Sequence, residues 1–288
     1  MKFYKYHGLG NDYLVIHPEE VTIPLTTDRV QAICDRHYGV GSDGILLGPV
    51  ELENLTYGVR IFNPDGSEAE KSGNGLRIFA RHLWEQGLVD ASPFTIITTG
   101  SSARATVRPG GNPVSVEMGR VSFRAEDIPF QGASGEVINK SKTVAGQDIT
   151  YCAATIGNPH CVVLCDDISR DLAVTSGPLL ENDRDFPNRA NVQFIKIINR
   201  NTIALEVWER GAGYTLACGS AASVAAATAR RLNLCDPEIA VLMPGGRLDI
   251  IVNKDYSVIL TGPVTPIAEG VIRPEMFDSY SPEIEKQA

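Results

Sequence analysis

The chain has 288 residues, 43% of them apolar, which is enough for one large or two modest domains around a buried core. A formal charge of -9, with no run of five or more Lys or Arg, argues against nucleic acid or an anionic membrane as the main partner, because both reward basic patches. Six cysteines are too sparse for a disulfide scaffold. Residues Met1 to His7 lack the apolar core of a signal peptide, and no stretch reaches the roughly 18 apolar residues of a membrane span, so the expected location is the cytoplasm.

In chain order, short β-rich segments bounded by turn residues predict strands at Tyr13–Ile16, Gly44–Leu47, Tyr57–Phe62, Phe94–Thr98, Ala103–Val107 and Val114–Met118. Helices are expected at Arg29–Arg36 and at Gly75–Gln86, the latter with Leu76, Phe79, Ala80 and Leu83 on one face. Residues Arg120 to Gln147, rich in glycine and without a period, read as a crossover between halves. Further strands follow at Cys161–Leu164, Val192–Ile198, Ile203–Trp208 and Leu248–Val252, and a helix at Ser220–Leu232 is almost all alanine on its inward side. Cys161 and Cys165 fall on an apolar run and read as buried hydrophobes rather than metal ligands. The tail from Arg273 reads as a frayed end or a strand returning to the first half. The expected fold is α/β, of the α+β kind, in two pseudo-symmetric halves. They are residues 1–125, completed by the tail, and 126–288, each a mixed or antiparallel sheet wrapped about a central helix.

The halves are suggested by a repeat. Gly10-Asn11-Asp12, Phe62-Asn63 and Ser72-Gly73-Asn74-Gly75 are answered about 147 positions later by Gly157-Asn158-Pro159, Trp208-Glu209-Arg210 and Cys218-Gly219-Ser220. Asn63 to Ser72 and Glu209 to Cys218 both span nine positions; Asn11 to Asn63 spans 52 and Asn158 to Glu209 spans 51. Ser72 and Cys218 therefore stand at equivalent places, each at the start of a central helix. Two facing acid/base groups across a cleft are what proton transfer from one face of a carbon to the other requires.

Helix N-termini expose unpaired N–H groups and carry about half a positive charge, so both are ready anion sites. Gly73, Asn74 and Gly75, with Gly219 and Ser220, are small enough to let a carboxylate approach the backbone. The same dipole should lower a thiol from its usual value near 8.5 and make Cys218 a general base. Ser72 alone reads as a helix cap, and Glu209-Arg210 alone as a surface pair. Asn11, Asn63, Asn158 and Asn191, each in a turn-like context, alone read as satisfying their own backbone. Recurrence at matched places is what makes ligand contact the better reading. His7 and His160 flank the two Gly-Asn turns and read as structural. No phosphate loop, dinucleotide fingerprint or calcium loop occurs.

These stretches, with Gly39-Val40-Gly41-Ser42-Asp43-Gly44, Arg60-Ile61-Phe62-Asn63-Pro64-Asp65-Gly66-Ser67-Glu68 and Trp208-Glu209-Arg210-Gly211-Ala212-Gly213, resemble diaminopimelate epimerases from end to end. The resemblance implies an isomerase without cofactor that interconverts LL- and meso-diaminopimelate, a small-molecule substrate, in a homodimer. It implies two cysteines, one per half, as base and acid. Cys218 is the second; the first stands where this chain has Ser72. Gly73, Asn74, Gly219 and Ser220 would hold the reacting carboxylate, Asn63, Asn191 and Arg210 the distal carboxylate, and Glu209 the distal ammonium, with Asn11 and Asn158 nearby.

Ser72 departs from that pattern. A serine hydroxyl is a far weaker acid than a thiol and is a poor resting base, so turnover should be impaired. Three accounts fit it: a cysteine-to-serine substitution that leaves binding intact, a slow or one-sided epimerase, or a relative that has drifted to another substrate or lost catalysis. The rivals are a pyridoxal-independent racemase or isomerase of another amino acid, such as histidine or hydroxyproline, and a binding protein for diaminopimelate without activity. Retention of Asn63, Asn191, Glu209 and Arg210 counts against the first.

Overall fold

The computed structural model describes residues 1–144 and 146–278. The chain runs through β1 (Lys2–Gly8), β2 (Asn11–Ile16), α1 (Thr27–Cys34), β3 (Ile45–Leu52), β4 (Thr56–Phe62), β5 (Glu68–Ala69), α2 (Gly73–Glu85), β6 (Phe94–Ile97), β7 (Ser102–Val107) and β8 (Val114–Arg120). It continues as β9 (Lys140–Val144), β10 (Gln147–Thr155), β11 (Pro159–Leu164), α3 (Arg170–Glu181), β12 (Asn191–Asn199) and β13 (Thr202–Glu209). Then come β14 (Gly213–Thr215), α4 (Gly219–Arg231), β15 (Glu238–Met243), β16 (Gly246–Val252), β17 (Ser257–Gly262) and β18 (Thr265–Val271). No described helix is long and apolar enough to cross a membrane.

The chain divides into two compact units, one of Met1–Val116 with the described residues from Pro263, the other of Glu117–Gly262. The division thus falls inside β8, and the chain re-enters the first unit at Pro263, where the sequence placed its boundary after residue 125.

In the first unit the ladder runs β18–β1–β2–β3–β4–β6–β7–β8, with β5 against the end of β4. Only β2/β3 and β4/β6 are parallel, and a parallel neighbour needs a crossover connection, which α1 and α2 supply. In the second unit the ladder runs β9–β10–β11–β12–β13–β15–β16–β17, with β14 against the end of β13. Its parallel pairs are β11/β12 and β13/β15, crossed by α3 and α4. The two connectivities match strand for strand except at one edge, where the returning β18 takes in the first unit the place that β9, directly before β10, takes in the second; each half is a mixed sheet about a central helix, and the repeat in sequence is a repeat in topology.

The central helices are buried for different reasons. On α2, Leu76, Ile78, Phe79 and Leu83 are fully enclosed, each worth roughly 1.5–3 kcal/mol of burial. On α4, Ala221, Ala222, Ala225, Ala226 and Ala229 present so little bulk that the strands close directly on the helix. A second apolar layer lies on each unit's other helix: Val30 and Ile33 of α1 pack with Leu14, Ile16 and Ile45, and Ala173 and Leu180 of α3 with Val163, Val192 and Phe194.

Helix α3 is absent from the sequence reading because Gly177 and Pro178 interrupt its pattern. The structure explains the glycine: a Cβ there would stand 2.6 Å from Cβ and Cγ of Trp208. Ser169, whose Oγ accepts the Leu172 N–H at 3.1 Å, was the legible start signal. The stretch read as an aperiodic crossover contributes β9 and buries Val121, Phe123, Ile128 and Val137. The returning strand is β18, which ends at Val271, so the strand precedes Arg273; a single 3-10 turn follows at Pro274–Phe277, and 279–288 lie outside the described residues. Cys161 is buried in β11, and Cys165 is half-buried just past its end.

Candidate active site

The backbone enters both central helices in the same way. Ser72 precedes α2 at φ -138°, ψ 118°, and Cys218 precedes α4 at φ -138°, ψ 122°. Each follows a short strand folded back on its predecessor, β5 on β4 and β14 on β13, and each is followed by a buried glycine. The equivalence inferred from spacing is therefore local geometry as well.

In the first unit, Ser72 Oγ accepts the Gly75 N–H at 3.0 Å and stands 3.2 Å from the Tyr13 hydroxyl. Gly75 cannot be larger without crowding this cap, since a Cβ would lie 3.2 Å from Ser72 Oγ and from Leu46 Cδ2. Asn11 opens β2 directly after a two-residue hairpin loop, Leu9 and Gly10, both at positive φ. Asn74 Nδ2 donates to Asn11 Oδ1 at 3.0 Å, and Asn11 Nδ2 donates to Asp43 Oδ2 at 3.0 Å. Behind them Arg77 donates from Nη2 to Asn74 Oδ1 at 2.9 Å and from Nη1 to the Gly73 carbonyl at 3.3 Å.

The chain Arg77, Asn74, Asn11, Asp43 thus runs from a buried cation to an anion and fixes both amides. Burial lowers the Arg77 guanidinium to about 10, so it stays charged at neutral pH. Burial also raises Asp43, with Asp12 beside it adding to the effect. At Asp12 burial works in the same direction, but Arg36 at 2.8 Å and Lys5 at 3.0 Å outweigh it and hold the carboxyl below its usual range. Asn63 is held by its own turn, donating to Ser67 Oγ at 3.0 Å. His7 accepts the Gly10 N–H of the hairpin loop at 3.2 Å, a structural contact.

In the second unit, Cys218 Sγ donates to Glu209 Oε2 at 3.0 Å and lies 3.4 Å from Ser220 Oγ, while Thr215 Oγ1 donates to Glu209 Oε1 at 2.6 Å. The sequence expectation that a helix N-terminus lowers this thiol is reversed. Burial first, then the charge of Glu209 and its hydrogen bond, push Cys218 well above the ordinary thiol value, and Ser220 offsets little of it. Cys218 is therefore a protonated thiol at neutral pH.

Asn191 begins β12 opposite His160, donating to the Pro159 carbonyl at 3.2 Å and accepting the Arg210 N–H at 3.0 Å. The Arg210 side chain is exposed and donates to the Asn188 carbonyl at 3.0 Å. Gln193 Nε2 donates to His160 Nδ1 at 2.9 Å, which leaves Nε2–H to donate to Asn158 Oδ1 at 2.9 Å. His160 is fully buried and pushed down to about 3 by burial, so it is a neutral strut for Asn158.

The structure thus joins Asn11, Gly73, Asn74 and Ser72 in one unit, and Asn158, Asn191, Glu209, Arg210, Cys218, Gly219 and Ser220 in the other. Sequence reasoning missed Tyr13, Arg77, Gln193 and Thr215. Three of these lie on strands where alternation alone assigns them no task, and the burial of Arg77 on a helix has no local signal. No group of three or more His, Cys, Asp or Glu residues suited to a metal ion occurs among the described residues.

The fold matches that of a hydroxyproline epimerase from Agrobacterium vitis, with a TM-score of 0.67 over 94% of this chain and 91% of the other at 14% identity. Sequence comparison narrows the class. The diaminopimelate epimerase family model matches residues 3–124 and 152–267. The chain is 54% identical over 277 residues to diaminopimelate epimerase 2 of Nostoc sp. (strain PCC 7120), covering 96% of this chain and 97% of that protein. It is 38% identical over 275 residues to diaminopimelate epimerase of Stutzerimonas stutzeri, covering 95% and 99%. The chain belongs to the diaminopimelate epimerase family, a family of isomerases.

Proposed function

We propose that this protein interconverts LL- and meso-diaminopimelate by moving the proton at Cα without pyridoxal phosphate or another cofactor, with Cys218 serving one face and Ser72 the other. The observation that carries the reading is the pair of helix entries with matching dihedral angles, one capped by a hydroxyl and one preceded by a thiol held 3.0 Å from a carboxylate. Both are acid/base groups set at helix N-termini, whose dipoles favour the negative charge that builds up on a reacting carboxylate as Cα–H ionises. Gly73, Asn74, Gly219 and Ser220 take that carboxylate. Asn63, Asn191 and Arg210 take the distal carboxylate, with Asn11 and Asn158 bordering the substrate.

Glu209 takes the distal ammonium, and the contact with Cys218 gives this a consequence. With Thr215 and the Cys218 thiol among its hydrogen-bond partners, Glu209 keeps Cys218 protonated through its charge, ready to act as the acid. An ammonium arriving at Glu209 offsets that charge, and the thiol becomes easier to ionise. Substrate binding would thereby ready the second group for the reverse direction. We further infer a cytoplasmic homodimer.

The test is Cα–H exchange in D₂O, followed by proton NMR, on diaminopimelate, histidine and hydroxyproline in parallel. Exchange confined to diaminopimelate supports the reading. Exchange on histidine or hydroxyproline and none on diaminopimelate defeats it.

A further inference from the structure

Ser72 is the weak point of a two-base scheme, and its surroundings contain a compensating group. The Tyr13 hydroxyl stands 3.2 Å from Ser72 Oγ. Tyr13 is 6% exposed and paired with Tyr6 in the β1/β2 ladder. Its ring is seated against Gly44, where a Cβ would come within 2.6 Å of Tyr13 Cε1 and 2.5 Å of the Phe62 carbonyl. The glycine is required there twice over, because its φ is +157°. The phenol is thus aimed at Ser72 by the packing of two strands. Ser72 Oγ already accepts the Gly75 N–H, which leaves it one further lone pair and its own proton.

We propose that Tyr13 is a positioning residue that gives Ser72 its proton chemistry, the two hydroxyls acting as a relay on their face of Cα. This rests on the functional reading above. Phenols ionise near 10 and thiols near 8.5, and an aliphatic hydroxyl is far less acidic than either, so the phenol is the closer substitute for the missing thiol. In the abstracting direction the Cα–H bond breaks, and its electron pair stays on carbon while Ser72 Oγ takes the proton. The O–H bond of Ser72 breaks in the same event, and that proton goes to the Tyr13 phenolate oxygen, giving the phenol. In the donating direction each transfer reverses: Ser72 delivers its proton to the carbanion, Tyr13 resupplies Ser72, and the phenolate remains. No electron leaves the system and no co-reactant is needed.

The experiment compares four chains: the parent, Tyr13→Phe, Ser72→Cys and Ser72→Cys/Tyr13→Phe. Each is assayed for Cα exchange and epimerisation of diaminopimelate in D₂O across a pH series. The expected result is a loss of ~10²-fold on Tyr13→Phe in the parent, within the range of a general acid/base group, and a much smaller loss in the Ser72→Cys background, where the thiol needs no relay. The parent's rate should go on rising with pH beyond the point where Ser72→Cys has levelled off. Equal losses in the two backgrounds, or an inactive parent beside an active Ser72→Cys, overturn the relay while leaving the substrate reading intact. No exchange by any of the four chains overturns both.

Discussion

Replacing Glu209 with Gln keeps an acceptor for the Cys218 S–H but removes the charge that opposes its ionisation. Two unit charges about 4 Å apart interact by roughly 4 kcal/mol at an effective dielectric of 20. The Cys218 to Glu209 separation of 3.0 Å is shorter, but the carboxylate charge is shared between two oxygens. At 1.36 kcal/mol per pH unit, removing the charge lowers the thiol by up to about three units. Burial, the largest cause of the raised value, is unchanged, so Cys218 remains a reluctant thiolate in the variant. The assay is a pH titration by carbon NMR of protein labelled at cysteine Cβ, with the Cys218 signal identified by its loss in Cys218→Ala. A second titration with diaminopimelate present tests the coupling to an arriving ammonium. A Cys218 midpoint that does not move, or rises, in Glu209→Gln refutes the reasoning, because the charge would then not be what holds the proton.

Three further outcomes follow from the geometry. Gly177→Ala drives a methyl against Trp208 and should cost about 1–3 kcal/mol in a denaturant titration, with an unchanged midpoint counting against the contact. Asn74→Ala cuts the chain between Arg77 and Asn11 and leaves a buried guanidinium short of an acceptor, for a loss of roughly 1–3 kcal/mol by the same measurement. His82 and His160 are both pushed down to about 3 by burial, against about 6.5 when unfolded. Their contribution is intact above pH ~6.5 and is lost as pH falls towards ~3, with a slope of up to ~2.7 kcal/mol per unit if both take protons only on unfolding. Denaturant midpoints between pH 7 and pH 5 should decline accordingly, and His160→Gln should flatten the decline.

The parts of the fold legible in the sequence were those with strong local periods. Helix α2 shows a one-sided apolar stripe and a cap, and α4 a run of alanines before which a glycine marks the turn. Helix α3 was not legible because its glycine answers to Trp208, a residue distant in sequence, and such a packing demand leaves no local pattern. The same division holds at the site. Ser72, Cys218 and the asparagines stood out through their spacing, a property of the chain. That Tyr13 meets Ser72 depends on the pairing of β1 with β2 and the seating of a ring on Gly44, and that Cys218 is pushed up rather than down depends first on its burial and then on Glu209 turning towards it. Spacing could place Glu209 nine residues before Cys218 but could not show which way its carboxylate faces.

The most direct test of the two-group account is the stereochemical course of deuterium uptake at Cα of LL- and meso-diaminopimelate in D₂O, compared for the parent, Ser72→Cys and Cys218→Ala. The account predicts that Ser72→Cys incorporates deuterium with inversion at least ~10-fold faster than the parent, and that Cys218→Ala fails to invert the centre. Inversion that persists without Cys218, or a Ser72→Cys chain no faster than the parent, would contradict it.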